Sequence, residues 1–272
     1  MNMKYDKYIK TLNENINSSE IEAICKKYNI KNYIINEDGS IDVDDDIYLY
    51  NKKLKVLPLK FRRVIGNFEC SFNKLTSLKG SPQSIGGYFS CSFNKLTSLK
   101  GSPQSIGGEI DCSYNQLTTL EGAPQRVGGE FDCRYNKLTS LVGCPQSIGG
   151  DFYCSGNQLT TLEGGHKRVS GIFWCDSNNL KNIDYLPKYY KELFIGDNPI
   201  YKIIKLFTTS DMTGTIYDNR ENKELIMDFI DREIIQQDKL LVNRLVEFLD
   251  DIGKPKSREE LIELLKIDYE IR

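Results

Sequence analysis

Six cysteines recur at a fixed interval in this chain: Cys70, Cys91, Cys112, Cys133, Cys154 and Cys175 stand 21 residues apart. Cysteine can bind metal, pair as a disulfide or act as a nucleophile, and the spacing discriminates among these. Zinc sites draw on tight pairs such as C-x2-C, usually with histidine. No such pair occurs here, and His166 is the only histidine. A residue at one phase of a repeat instead forms a column, its members roughly 4.8 Å apart if the coils stack as neighbouring strands do. Free cysteine in such a column is a small buried hydrophobe. Cys25 and Cys144 lie outside the column and carry no recognisable chemistry.

The carboxylates are the second candidate. Glu109 with Asp111, and Glu130 with Asp132, alternate as side chains on one face of a strand do. Acid–base catalysis needs a pocket that splits two such pKa values, and a wide open sheet offers none. Asp42, Asp44, Asp45 and Asp46 suggest calcium, but the glycine and glutamate of an EF-hand loop are not in place. They read as a solvated acidic edge that discourages further sheet pairing. His166 falls on a different part of the repeat, with no evident Cys or Ser partner. No catalytic residue, cofactor site or metal site is expected, and the chain reads as a non-enzyme.

The repeat itself must position whatever functional groups there are. Residues 70 to 87 read CSFNKLTSLKGSPQSIGG, and residues 91 to 108 read the same without a change. Asparagine follows each column cysteine by three residues, from Asn73 to Asn178, and leucine by five, from Leu75 to Leu180. A period of this length means a solenoid. Within one coil, Phe89 and Cys91 alternate with exposed neighbours as a short strand. Asn94 closes it, and stacked asparagines would form a buried ladder that satisfies the polar groups of the bend. Leu96 and Leu99 fill the core, Gly101 and Pro103 sit in an extended return segment, and Ile106 turns inward. Gly107-Gly108 then makes the tight turn into the next strand.

The pattern F-x-C-x-x-N-x-L-x-x-L-x-G-x-P-x-x-I/V-G-G resembles a bacterial-type leucine-rich repeat. It is similar in particular to the leucine-rich repeat proteins carried by large tailed bacteriophages. The resemblance covers about residues 47 to 200 and departs from its pattern at His166, which replaces the proline of the return segment. It implies short parallel strands on a concave face, extended convex segments, and a scaffold that binds other proteins. Some bacterial effectors join such repeats to a ubiquitin-ligase domain with a catalytic cysteine. Here the last cysteine is Cys175, so the C-terminal region cannot perform that reaction.

Three regions are expected: an N-terminal α/β cap over residues 1–46, the solenoid over 47–207, and a C-terminal helical cap or small bundle over 208–272. Residues 3 to 16 are weakly amphipathic, and Ser18-Ser19 should cap a helix running to Tyr28. Tyr33 to Ile35, a turn, and Ile41 to Val43 make a hairpin. After Asn198-Pro199 a short capping helix follows. Helical patterns then run over Glu221 to Ile235, Asp238 to Leu249, and Arg258 to Leu265, the last with a capping box of Ser257 and Glu260.

Strand alternation points four columns outward, at three and one residues before each cysteine and at one and two after it. Read down the stack, they place Glu109, Asp111, Glu130, Asp132 and Asp151 in an acidic patch at the centre of the sheet. Phe72, Phe93, Tyr114 and Tyr135 form an aromatic stripe along one border. Tyr88 lies to one side of the patch, and Tyr153 and Trp174 beyond it. Serines occupy most of the column just after the cysteines. Aromatic residues beside charge are what a protein-binding hot spot needs. The bland reading is that the stripe covers the neighbouring bend and the acids keep the sheet soluble.

The net charge of −2 argues against nucleic-acid binding by counterion release. MNMKYDKYIK has no apolar run of the signal-peptide kind, and no stretch approaches a membrane span. A cytoplasmic protein is expected, in the host cell if phage-encoded. The function expected is binding that sequesters or inhibits a protein with a basic surface, on the phage resemblance a host defence protein. A structural or assembly scaffold, virion-associated or self-associating, is the other reading. Self-association through the caps is open.

Overall fold

In the computed structural model, which describes residues 16–208, 215–217 and 220–272, the repeat builds a parallel β-solenoid. Each coil contributes a strand of two or three residues ending one residue before the column cysteine, from Ile47–Tyr48 to Glu192–Phe194. These strands pair in parallel, each in register with its counterpart one repeat away, as Phe131 is with Ile110 and Phe152. Thr215–Tyr217 closes this sheet by pairing antiparallel with Glu192–Phe194.

The return segments, expected to be merely extended, form a second parallel sheet. Its repeating members are Ser84–Ile85, Ser105–Ile106, Arg126–Val127 and Ser147–Ile148. The Gly-Gly pair that follows lets coils approach closely. A Cβ on Gly128 would run into the carbonyl oxygen of Gly107, so a side chain there would force the two coils apart.

Between the sheets lies one continuous core. Phe68, Phe89, Ile110, Phe131, Phe152 and Phe173 point inward, fully buried, two residues before each cysteine. Cys70, Cys91, Cys112, Cys133, Cys154 and Cys175 are buried free thiols, as expected. The asparagine ladder is also present. Asn94 Nδ2 donates to the carbonyls of Cys70, Cys91 and Ser92 at 3.0–3.1 Å, and its Oδ1 accepts from Leu75 N–H at 2.9 Å. Asn73, Asn115, Asn136, Asn157, Asn178 and Asn198 repeat the arrangement. Each side chain thus ties its own bend to the coil before it.

At the N-terminal end, the pattern at residues 3 to 16 falls almost wholly outside the described residues. The helix Ser18–Tyr28 is capped by Asn17 rather than by the two serines: Asn17 Oδ1 accepts from Glu20 N–H, and Glu20 reciprocates. The expected hairpin forms between Tyr33–Ile35 and Ile41–Val43. The acidic edge is corrected. Ile41–Val43 also pairs in parallel with Phe61–Val64, and Asp42 and Asp44 meet Arg62 and Arg63 of that strand. These aspartates couple to the first coil rather than repel a neighbour.

At the other end Tyr201–Ile204 is the short helix expected, and Arg258–Leu265 carries the Ser257–Glu260 capping box. The helical run expected through Ile235 and from Asp238 is interrupted. A hairpin joins Ile235–Gln236 to Lys239–Leu240, its turn made by Gln237 and Asp238 at φ 49° and 61°. The flanking helices are Arg220–Asp231 and Val242–Asp251. Phe207 meets Phe229 and Phe248 of these helices at ring centroids 5.2 and 5.0 Å away. Lys202–Asp268 at 2.6 Å, and Tyr269 Oη donating to Lys181 O at 2.9 Å, add polar ties to the solenoid end.

Candidate functional site

The outer face of the longer sheet carries the residues singled out in the sequence, and the strands fix their order. Phe72, Phe93, Tyr114 and Tyr135 form a true ladder. Successive ring centroids are 4.2, 4.3 and 4.5 Å apart, and the interplanar angles are 15°, 10° and 23°. Tyr50 abuts the first ring at 5.2 Å with a 57° tilt. Relative exposures of 40–49% show that stacking covers the faces and leaves the edges to solvent.

The backbone beneath the ladder is unusual. Phe72, Phe93, Tyr114 and Tyr135 all have φ between 51° and 54°, the left-handed region that large side chains avoid. The same position in other coils holds Asn51, Gly156, Ser177 and Asp197, also at positive φ. The coil therefore dictates the conformation, and small polar residues or glycine satisfy it. Aromatic residues there cost about 1–2 kcal/mol each, while a stacked pair returns about 0.5–1.5 kcal/mol. That backbone cost falls on every non-glycine residue at this position, Ser177 and Asp197 included, and the aromatic side chains add the stacking on top of it.

The acidic patch is less uniform than the sequence suggests. Glu109 and Glu130 are exposed. Partial desolvation of its carboxyl, then the charges of Asp151, Glu109 and Asp132, raise the Glu130 pKa above the ordinary value. Asp111 is engaged locally: its Oδ1 accepts from Ser113 N–H at 2.9 Å and from Ser113 Oγ at 2.6 Å. Asp132 accepts from Arg134 N–H in the same way and holds the Arg134 guanidinium at 2.7 Å. Asp151 accepts from Ile172 N–H and Tyr153 Oη, both at 2.7 Å. The side chain one residue before the cysteine thus caps the turn that follows. Ser71, Ser92, Ser113 and Ser155, expected to point outward, are buried instead, Ser71 and Ser113 held by such caps from Glu69 and Asp111.

Tyr88 is half-buried beside the patch. Beyond the patch a second set of rings continues the sheet. Tyr153 and Trp174 have centroids 5.8 Å apart, and Trp174 stacks on Phe194 at 4.2 Å. Phe194 was not singled out in the sequence, because it lies beyond the six cysteine-bearing coils, in the shortened coil where Ile195 takes the cysteine position. The strand pairing Trp174↔Phe194 recovers it.

His166 lies on the return segment, as expected. Its ring packs edge-on against Phe152 at 6.1 Å, and burial lowers its pKa, holding it neutral. It fills the place of a proline. Among the described residues no group of three or more His, Cys, Asp or Glu is arranged to hold a metal ion. Nor is any helix among them long and apolar enough to cross a membrane.

No protein-family model matches the chain, and no curated protein does. Among solved structures it is similar to YopM from Yersinia enterocolitica WA-314, with 15% identity and a TM-score of 0.27. The match covers 56% of this chain and 56% of that one, so the chain spans little more than half the length of that protein. The fold is a parallel β-solenoid of 21-residue coils. It presents, on the outer face of one sheet, an aromatic ladder, a carboxylate patch and a second group of rings.

Proposed function

We propose that the protein is a non-enzymatic binding module whose long sheet grips a protein partner with a basic surface. The observation that carries this is the exposed ladder of Phe72, Phe93, Tyr114 and Tyr135, built at a backbone position that disfavours such side chains. Backbone strain retained under exposed rings in four successive coils points to use. Rigid rings with exposed edges supply affinity at small entropic cost. The carboxylates beside them, led by Glu109 and Glu130, speed the encounter with a basic surface and fix its orientation. Residues 1–46 and 208–272 act in this reading as caps that protect the ends of the stack.

The role we assign is sequestration or inhibition of the partner. The resemblance of the coils to phage-carried repeats makes a host defence protein in the cytoplasm the partner of choice. The test is affinity capture from cells of the native host, read by mass spectrometry, with wild-type protein and a Tyr114→Ser/Tyr135→Ser variant. The reading expects a protein retained by the wild type and lost by the variant. Capture equal in both, or recovery of the protein only in phage particles as a structural component, would overturn it.

A further inference from the structure

The net charge of −2 conceals a separation of charge along the stack. From Ile47 to Gly108 the chain carries ten lysines and arginines and one acid, Glu69, whereas from Glu109 to Glu163 it carries seven acids and three bases. Asp38, Asp42, Asp44 and Glu121 take up Lys60, Arg62, Arg63 and Lys100. Among the described residues no carboxylate pairs with Lys53, Lys74 or Lys95, and all three are exposed. They stand at one phase of successive coils, Lys74 and Lys95 two residues beyond Phe72 and Phe93. Backbone bonds hold this column in register: Lys74 N–H donates to Leu54 O at 2.7 Å, and Lys95 N–H to Leu75 O at 2.8 Å. Three like charges therefore stack at roughly the 4.8 Å step of neighbouring strands, which opposes folding. The coil does not ask for them, since Gln116 and Gln158 hold the same place further on.

Each coil thus passes from the carboxylate columns, through the ladder position, to the lysine position. The rings form an apolar stripe with acids on one side and, over its first coils, bases on the other. Spacing selects the form of a matching segment. Three lysines at that step span about 10 Å. Acidic residues at i, i+4 and i+7 of an α-helix share one side and span about 10.5 Å. Alternate residues of an extended strand step by about 6.7 Å and fall out of register by the third lysine. The rings, at steps of 4.2–4.5 Å, keep nearly the same interval under the apolar residues of such a helix.

We propose that the ladder seats an amphipathic helix of the protein partner, lying along the stack. Its acidic residues face Lys53, Lys74 and Lys95, and its basic residues face Glu109 and Glu130. The two flanks fix which way the helix runs, because turning it end for end exchanges them. A nucleic acid is a poorer occupant: the lysine column stops after three coils, and Gln116 and the carboxylates of the sheet follow. This rests on the reading that the sheet binds a protein with a basic surface, and it adds the form of the bound segment and its acidic flank.

The probe is a fluorescein-labelled helical peptide with leucines at i, i+4, i+7 and i+11, a glutamate after each leucine and a lysine before it. A second peptide carries glutamine in place of the glutamates, and anisotropy at low salt gives the affinities. The first peptide should bind the full chain, and Lys74→Gln/Lys95→Gln should weaken it about fivefold while leaving the second peptide unaffected. That difference should fade at about 0.5 M salt. If the lysine substitutions change neither peptide, or both alike, while Glu109→Gln/Glu130→Gln still weakens binding, the acidic flank is wrong and the basic-partner reading stands. If a 20-bp DNA duplex binds more tightly than the peptide and through the same lysines, the occupant is a nucleic acid and the proposal falls. If neither peptide binds, the helix seat is wrong, whatever the capture experiment returns.

Discussion

The ring of Tyr135 lies directly over Gly156. A Cβ built on Gly156 would sit 2.6 Å from Tyr135 Cδ1 and 2.8 Å from Cε1, and Gly156 itself has φ 64°. The ladder therefore ends where the coil offers no side chain at all. Substituting alanine adds left-handed strain and forces the terminal ring aside. Gly156→Ala should lower stability by about 1–2 kcal/mol, read by chemical denaturation, and perturb the near-ultraviolet circular dichroism of the tyrosines. A variant as stable as the wild type, with an unchanged spectrum, would show that the ring does not rest there.

The asparagine ladder gives a second expectation. Asn115 donates to Cys91 O, Cys112 O and Ser113 O at 3.0–3.2 Å and accepts from Leu96 N–H at 3.0 Å. Asn115→Ala strands these buried groups in two coils and should cost about 3–5 kcal/mol, measured by urea unfolding. A loss below about 1 kcal/mol would mean that the bends are held by something else.

The cysteine column should be chemically silent in the folded protein. The six thiols are buried, and that burial raises their pKa values, so the reactive thiolate is scarce as well as inaccessible. Cys25 is buried too, its pKa raised to about 11. Labelling of native protein should be slow, with half-buried Cys144 the first to react, and all eight cysteines should label on unfolding. Rapid native modification of the column would contradict its inward placement.

Glu130 makes stability depend on pH in a defined direction. Its pKa is raised in the folded state, so the fold holds the proton more tightly than the unfolded chain does. The ionised carboxylate therefore opposes folding as pH rises through and above the ordinary value of 4.5, and the effect vanishes well below it. Glu130→Gln should raise the thermal midpoint at neutral pH and converge with the wild type in acid. A variant less stable at neutral pH would mean that the charge is compensated.

Much of the fold was legible because the period fixes it. One residue type at one phase, as with Cys112 or Asn115, must occupy equivalent places in every coil. The site was legible in its membership but not in its geometry. That Phe72 and Tyr114 sit at positive φ is hidden, since aromatic residues are not turn formers. The hint lay in the less regular coils, where Asn51, Gly156 and Asp197 hold the same place. Asp111 and Asp132 looked free, yet capping the next turn is local chemistry that alternation does not reveal. The hairpin at Gln237-Asp238 was missed for a related reason: it lacks the Asn-Gly or Asp-Gly pair that marks such turns.

The central claim is that the ladder edges contact a partner, and association kinetics with the captured protein test it most directly. Tyr114→Ser and Tyr135→Ser keep a small polar residue of the kind found at Ser177, which occupies the same backbone conformation. Each should leave stability nearly unchanged and raise the dissociation rate about tenfold or more, whereas Glu109→Lys should mainly slow association. Dissociation unaffected by both serine substitutions, with binding abolished instead by Lys79→Ala on the opposite side of the coil, would contradict the account.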